Sequence, residues 1–219
     1  DFIGITKLIE WVIESHPRTL NIVTTNYDRV LEYIMSFQGI AFTDGFEGKA
    51  LSIFNENLFQ EENIVNLIKV HGSLSWFDVD GEIRFLNSNP EHHQPQIIAP
   101  SKNKYQETYH SPYRELIQKA DNVIKKASSF LVVGFGFNDE HLTPRIRTQI
   151  KKGIPIVIIT KTISESAFKE LESAKRYLLL EEFDDKKTKI IYKNGSSEEK
   201  QEEVLEGQFW QLTKFMEIL

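Results

Sequence analysis

The sequence predicts an α/β fold, a parallel β-sheet with helices on both faces. Short apolar runs alternate along the chain with longer segments in which apolar residues recur at helical spacing. The run at residues 155–159 is rich in Val and Ile and does not alternate with polar residues, which is typical of a strand covered on both faces. Together these observations favour parallel strands joined by crossover helices.

The individual elements follow from the same patterns. Helical spacing predicts helices at residues 3–15, 28–37, 113–127, 140–151, 164–175 and 203–219. Ser164 is a candidate N-cap for the fifth of these helices. Apolar runs predict strands at residues 20–23, 64–70, 130–133 and 155–159, with a last strand at 188–192. Segments 76–78 and 82–85 flank a Val-Asp-Gly turn and predict a hairpin, and residues 87–104 form a long polar loop.

The chain length predicts a single domain over residues 1–219, with the hairpin and the long loop inserted at residues 74–105. The first residue is Asp1, and a helical pattern begins almost at once. We therefore expect the chain to be truncated at its N-terminus and to be part of a larger protein.

The composition excludes several functional classes. The net charge of −6 gives no reason to expect nucleic-acid binding. The absence of cysteine rules out disulfides, thiolate catalysis and cysteine-based zinc modules, and it fits a cytoplasmic protein. No apolar run approaches the ~20 residues that cross a bilayer, so no membrane partner is expected. The six histidines show no metal-ligand spacing, so we predict no metal site.

Polar or glycine-bearing segments follow the strands, where ligands bind in parallel α/β sheets. His71 follows the strand at 64–70 and can act as a general base near neutral pH. Thr25, Asn26 and Asp28 follow the first strand. Two further segments follow the third and fourth strands: Gly134-Phe135-Gly136-Phe137 and Thr160-Lys161. Four strand ends together favour a ligand site more strongly than any one of them.

Each candidate also has a structural interpretation. His71 alone fits a strand-end histidine bonded to a carbonyl, and Asp28 fits a helix cap as well as it fits a ligand contact. The amide of Asn26 is less easily explained by capping. Phe135 and Phe137 fit core positions, and Asn138 with Asp139 fits the cap of the next helix. Lys161 fits an exposed loop equally well.

Three motifs, in order, resemble those of sirtuins. Thr-Thr-Asn-Tyr-Asp at residues 24–28 stands where sirtuins have Thr-Gln-Asn-Ile-Asp. Lys-Val-His-Gly-Ser at 69–73 contains the catalytic His-Gly of that family, and Val-Val-Gly-Phe-Gly-Phe at 132–137 stands at its Gly-Thr-Ser-Leu-type loop. The resemblance covers about residues 20–161. More narrowly, the chain is similar to the zinc-free bacterial branch found in anti-phage defence proteins.

The resemblance implies a Rossmann-like fold and an enzyme that consumes NAD as its substrate. His71 would be the base, Asn26 would orient a water or the ribose, and Asp28 would support Asn26 or bind ribose. Residues expected to contact the rest of NAD are Thr25, Gly134, Phe135, Gly136, Phe137, Thr160 and Lys161. We expect cleavage of NAD to nicotinamide and ADP-ribose, in a defence protein that has further domains or partners. Homo-oligomerisation is left open.

Two departures from the sirtuin pattern shape this expectation. Nothing upstream of Leu20 resembles the glycine-rich loop that holds the NAD phosphates, and Gly4 is isolated. The zinc ribbon, which helps to form the acyl-peptide groove of deacylases, is missing with its cysteines. A protein deacylase is therefore less expected than an NAD glycohydrolase. A regulatory module that binds NAD or ADP-ribose is the main alternative.

Overall fold

The structure, a computed structural model, describes residues 2–15, 20–60, 64–88, 90–91, 93–98, 110–195 and 199–219. The chain divides into two compact units, which we name by their chain segments. The N-terminal unit is Ile9–Ala120, and the C-terminal unit combines Asp1–Leu8 with Asp121–Leu219. The predicted single domain over residues 1–219 stays a prediction.

The helices and strands alternate along the chain. The α-helices are α1 (Phe2–Ser15), α2 (Val30–Gln38), α3 (Tyr113–Lys126), α4 (Leu142–Lys152), α5 (Glu165–Glu172) and α6 (Leu212–Phe215). The strands are β1 (Leu20–Thr24), β2 (Phe42–Thr43), β3 (Phe46–Glu47), β4 (Ser52–Phe54), β5 (Val65–Lys69), β6 (Trp76–Val79), β7 (Glu82–Phe85), β8 (Phe130–Val133), β9 (Ile156–Ile159), β10 (Arg176–Glu182), β11 (Lys187–Asn194) and β12 (Gln201–Glu206). A short 3-10 helix spans Glu56–Leu58.

The N-terminal unit contains two sheets. The first is parallel, with strand order β1-β5-β2, and all of β5 is buried. The second is antiparallel, with order β3-β4-β7-β6. Its β6–β7 hairpin turns at Asp80 and Gly81, which both have positive φ, as a tight two-residue hairpin turn requires. The predicted hairpin is therefore confirmed.

The C-terminal unit contains a five-stranded sheet of order β12-β11-β10-β9-β8. Strands β8, β9 and β10 are parallel, whereas β11 and β12 are antiparallel to their neighbours. Ile159 and Leu180 from this sheet pack with Leu212 and Phe215 of α6 in one buried cluster. Ile5 and Leu8 of α1 pack against the same cluster, so both ends of the chain contribute to this core.

The α/β fold class with parallel strands and helices is confirmed and is consistent with a Rossmann-like fold. Most predicted elements lie within a few residues of their observed bounds, and residues 130–133 form β8 as predicted. Ser164 is the predicted N-cap: its Oγ accepts a hydrogen bond from the Ala167 N–H (3.1 Å).

At the C-terminal end one prediction is wrong and one strand is absent from the prediction. Residues 203–219 do not form one helix: Gln201–Glu206 forms β12, and only Leu212–Phe215 is helical. Residues 201–206 form a strand because their backbone pairs with β11 at six positions, from Lys187↔Glu206 to Tyr192↔Gln201. Helical spacing is a local pattern and carries no information on pairing with another segment. The sequence patterns also do not predict β10, which begins one residue after the predicted helix at 164–175. This strand too is defined by pairing with distant segments, namely β9 and β11.

Part of the predicted loop at 87–104 lies outside the described residues, namely 89, 92 and 99–104, and so do residues 99–105 of the predicted insertion. The remainder is not wholly a surface loop. Ile98 is buried, and Ile97 forms an isolated antiparallel bridge with Gly72. No described helix combines the length and the apolar character that a membrane span requires.

Candidate active site

The turns that carry Asn26 and His71 leave the same edge of the parallel sheet. Strands β1 and β5 end level with each other, with Thr24 paired to Lys69. The next backbone N–H, that of Val70, still donates to the Thr24 carbonyl (3.2 Å). Beyond the strand ends, the Leu74 N–H donates a hydrogen bond to the carbonyl of Tyr27 (2.8 Å). The two turns are therefore bonded to each other, as the edge position predicts.

His71 is held in a tightly packed turn. The residue is buried, with 9% of its surface exposed. Its backbone carbonyl accepts a hydrogen bond from the Ile98 N–H (2.9 Å). Gly72 has φ of +86°, and a Cβ there would lie 2.2 Å from the Gln96 carbonyl oxygen. Only glycine fits this position, because a side chain would meet both a strained backbone and a steric clash. The backbone of this turn therefore requires the glycine that follows His71.

The Asn26 turn is more open. Its backbone N–H donates to Thr24 Oγ1 (3.0 Å), which shapes the turn, while the residue itself is exposed. Thr25 is half-buried beside it. An exposed amide can both donate to and accept from a ligand or a water. This placement leaves Asn26 able to take the role that was expected of it.

Asp28 caps a helix. Its Oδ1 accepts a hydrogen bond from the Val30 N–H (2.9 Å) at the start of α2, which is the structural interpretation that the sequence left open. The carboxylate therefore satisfies one backbone donor of the first turn of α2, which begins directly after the Asn26 turn. A second contact of Asp28 with ribose stays a prediction.

Three buried charged residues lie close to these turns, and the sequence patterns did not identify them. Lys69 Nζ lies 2.6 Å from Glu32 Oε1, and the two side chains are 1% and 7% exposed. Burial raises the pKa of the Asp44 carboxyl from 3.8 to about 6; the Glu32 charge also raises it, whereas the Phe46 N–H and Lys69 lower it. The only sequence signal was a lysine inside the otherwise apolar run at residues 67–70.

The loops after β8 and β9 belong to the C-terminal unit and leave neighbouring parallel strands. Gly134 and Phe137 both have positive φ, and Phe137 is buried against Phe135, with ring centroids 5.1 Å apart. The core interpretation of Phe137 is therefore observed. Ser164 Oγ donates to the Gly136 carbonyl (2.7 Å), which ties this loop to the start of α5.

The remaining residues near these loops have ordinary structural contacts. Asp139 caps α4 by accepting from the N–H groups of His141 and Leu142 (2.9 and 2.8 Å), as the sequence predicted. Asn138 instead accepts from Ser166 Oγ (2.6 Å). Lys161 is exposed and lies over the Trp210 ring at 5.9 Å. Thr160 Oγ1 donates to the Thr162 carbonyl (3.1 Å).

Within the described ranges, no three histidine, aspartate or glutamate side chains group as metal ligands. The Asn26 and His71 turns present an imidazole, an amide and backbone groups at one sheet edge, a set suited to polar organic ligands.

Comparison with known protein families agrees with these motifs. Residues 20–189 match the model of the family described as SIR2-like domain. No curated protein matches the chain. The matched range includes both the Asn26 and His71 turns and the loops after β8 and β9. The chain therefore belongs to the SIR2-like domain family, whose members have NAD-related functions.

Proposed function

We propose that this domain hydrolyses NAD to nicotinamide and ADP-ribose, as the effector of a bacterial anti-phage defence system. The observation that carries the proposal is the joining of the Asn26 and His71 turns at one sheet edge, through the bond from Leu74 to Tyr27. The defence role is supported by the resemblance to zinc-free bacterial sirtuin-like proteins. We further propose a cytoplasmic location and association with other domains or a partner protein.

The chemistry requires one base and one orienting group. The bond between ribose C1′ and the nicotinamide nitrogen breaks, and its electron pair goes to that nitrogen, which leaves an oxocarbenium-like ribose. A water oxygen then bonds to C1′, and its proton passes to the His71 imidazole, directly or through a ribose hydroxyl. Asn26 accepts a hydrogen bond from the water or from the ribose and so sets the direction of attack.

The other predicted contacts stay part of the proposal. Thr25 lies next to Asn26 and would contact the ribose. Residues proposed for the adenosine half are Gly134, Phe135, Gly136, Phe137, Thr160 and Lys161. The positive φ of Gly134 supports this, since such a backbone can present its amide groups closely to a ligand.

The test compares His71→Ala and Asn26→Ala with the wild type in the full-length protein, with NAD as substrate. Nicotinamide release by His71→Ala should be about 10²–10⁴-fold slower, the usual contribution of a general base. Asn26→Ala should also be strongly impaired, because the attacking water or the ribose is no longer oriented. Both variants should keep the wild-type thermal unfolding midpoint. Nicotinamide and ADP-ribose are quantified by chromatography, with and without an acylated peptide. His93→Ala, which removes an exposed imidazole bonded to the Glu91 carbonyl, is the matched control.

The outcomes separate the candidate functions. Nicotinamide release without peptide, lost in the two variants and kept in His93→Ala, supports hydrolysis. Release that depends on peptide would instead indicate a deacylase. Tight NAD binding without turnover would indicate a regulatory module. Near-normal turnover in His71→Ala would refute the mechanism.

A further inference from the structure

Lys69 is an unusual residue for the end of a buried strand. It is the last residue of β5, is 1% exposed, and follows the fully buried Leu67 and Ile68. Burial of a charge lowers stability unless the charge is paired and hydrogen-bonded. An apolar residue at this position would fill the core without that cost. The contacts of Lys69 therefore indicate what it contributes.

The ammonium group of Lys69 has two oxygen contacts. It pairs with Glu32 in the first turn of α2 at 2.6 Å, and it donates a hydrogen bond to the backbone carbonyl of Asp28. Lys69 lies two positions before His71, and Asp28 lies two positions after Asn26. One side chain thus spans from the strand that carries His71 to the turn that carries Asn26.

We propose that Lys69 is a positioning residue that holds the Asn26 turn beside His71 for NAD cleavage. This inference rests on the proposed function. The decisive contact is the bond to the Asp28 carbonyl, because a main-chain carbonyl can be held by a donor but not by an apolar side chain. The pairing with Glu32 holds the ammonium group in place. The bond from Leu74 to Tyr27 secures the same turn from the other side.

The charges around Lys69 determine which variants are informative. Lys69→Met alone leaves Glu32 buried without its cation, close to Asp44, and breaking a buried pair in this way strongly destabilises a protein. Replacing both partners by apolar residues of similar size is often neutral for stability or favourable. Lys69→Met with Glu32→Met therefore removes the bond to Asp28 while restoring a compatible core.

The experiment measures kcat and KM for NAD, thermal unfolding, and amide hydrogen exchange of residues 25–28 in the full-length protein. The double variant should unfold near the wild-type temperature, yet its kcat should be about 10²-fold lower with little change in KM, as a displaced reacting group predicts. Exchange in residues 25–28 should be faster. Arg147→Met with Glu170→Met, which removes both partners of an ion pair in the C-terminal unit, is the matched control and should keep its kcat.

Three results would overturn the inference: wild-type kcat in the Lys69/Glu32 double variant, unchanged exchange at residues 25–28, or an equal loss of kcat in the Arg147/Glu170 double variant. If the wild-type protein does not cleave NAD at all, the proposed function fails instead. Hydrogen exchange then decides alone whether Lys69 holds the Asn26 turn.

Discussion

Asp44 illustrates how burial changes the chemistry of a single side chain. The residue follows β2, and its Oδ1 accepts a hydrogen bond from the Phe46 N–H (3.1 Å). Burial raises the pKa of its carboxyl to about 6 from 3.8. Between these two values the folded state keeps a proton that the unfolded state has lost, so stability falls as the pH rises through this window.

The Asp44→Asn variant tests this coupling. Asparagine keeps the acceptor for the Phe46 N–H but cannot ionise. The free energy of unfolding of the variant, relative to wild type, should rise by about 2 kcal/mol between pH 4 and pH 8, most of it below pH 6.5. Urea unfolding across this range measures the difference. A parallel curve for Asp44→Asn would contradict the prediction.

At this scale the sequence indicates candidate residues but not their surroundings. His71, Gly72 and Asn26 are candidates because their chemistry and their strand-end position are both visible in the sequence. Lys69, Glu32 and Asp44 were not found as a cluster, because they come from different segments and meet only when β1, β2 and β5 pair. A charged residue in an apolar run, such as Lys69, indicates a buried charge but does not show which residues pair with it.

Among the elements, α5 depends on its cap and also positions a loop. Ser164 Oγ accepts from the Ala167 N–H and donates to the Gly136 carbonyl. The first contact satisfies a backbone donor of the first helical turn. The second contact holds the Gly134–Phe137 loop against the start of α5, so the same hydroxyl group bonds both the helix and the loop.

Two variants of Ser164 separate these contacts. Ser164→Ala removes both and should lower the free energy of unfolding by about 1 kcal/mol, the usual loss for a missing N-cap. Ser164→Asp keeps the acceptor for the helix but loses the donor to Gly136, so its unfolding should stay closer to wild type. Both variants should show faster hydrogen exchange in the 134–137 loop. Equal stability of Ser164→Ala and wild type would argue against the capping role.

Element type could be predicted wherever local pattern and final structure agree, as for α1, β8 and the β6–β7 hairpin. The prediction is wrong for β12, because all of its residues are exposed and it therefore lacks the alternation of apolar and polar residues that indicates a strand. That strand is stabilised across the sheet instead, by ion pairs such as Lys187 with Glu206 (3.1 Å) and by the Tyr192 hydroxyl bonded to Glu203 (2.8 Å). Such cross-strand contacts leave no local period.

Across the whole molecule, the two ends of the chain meet in the core of the C-terminal unit. Helix α6 has only four residues and cannot be stable by itself. Its buried Leu212 and Phe215 pack with Ile159 and Leu180, and α1 adds Ile5 and Leu8. Packing between distant segments therefore determines that this short helix forms.

Phe215→Ala tests this packing. The residue is 8% exposed, so the truncation should lower the free energy of unfolding by about 3–5 kcal/mol through lost burial and the cavity left behind. Phe183→Ala, at a position that is 57% exposed, should change it far less. Chemical denaturation of both variants gives the comparison. A similar small effect in both would mean that α6 contributes little to the core.

The sequence by itself determined the α/β class, the order of most elements and the segments expected to bear ligand groups. These features depend on local periodicity, turn residues and short motifs, which each segment carries with it. The SIR2-like family match over residues 20–189 agrees with that reading.

Only the tertiary structure decided which segments are neighbours. The pairing of β1 with β5 places the Asn26 turn beside His71. Folding also buries Lys69, Glu32 and Asp44 close to one another. Pairing with β11 determines that residues 201–206 form a strand. Each of these outcomes depends on hydrogen bonds and burial between residues that are far apart in the chain. No local pattern encodes them, because the energy that selects them arises only when the sheet is assembled.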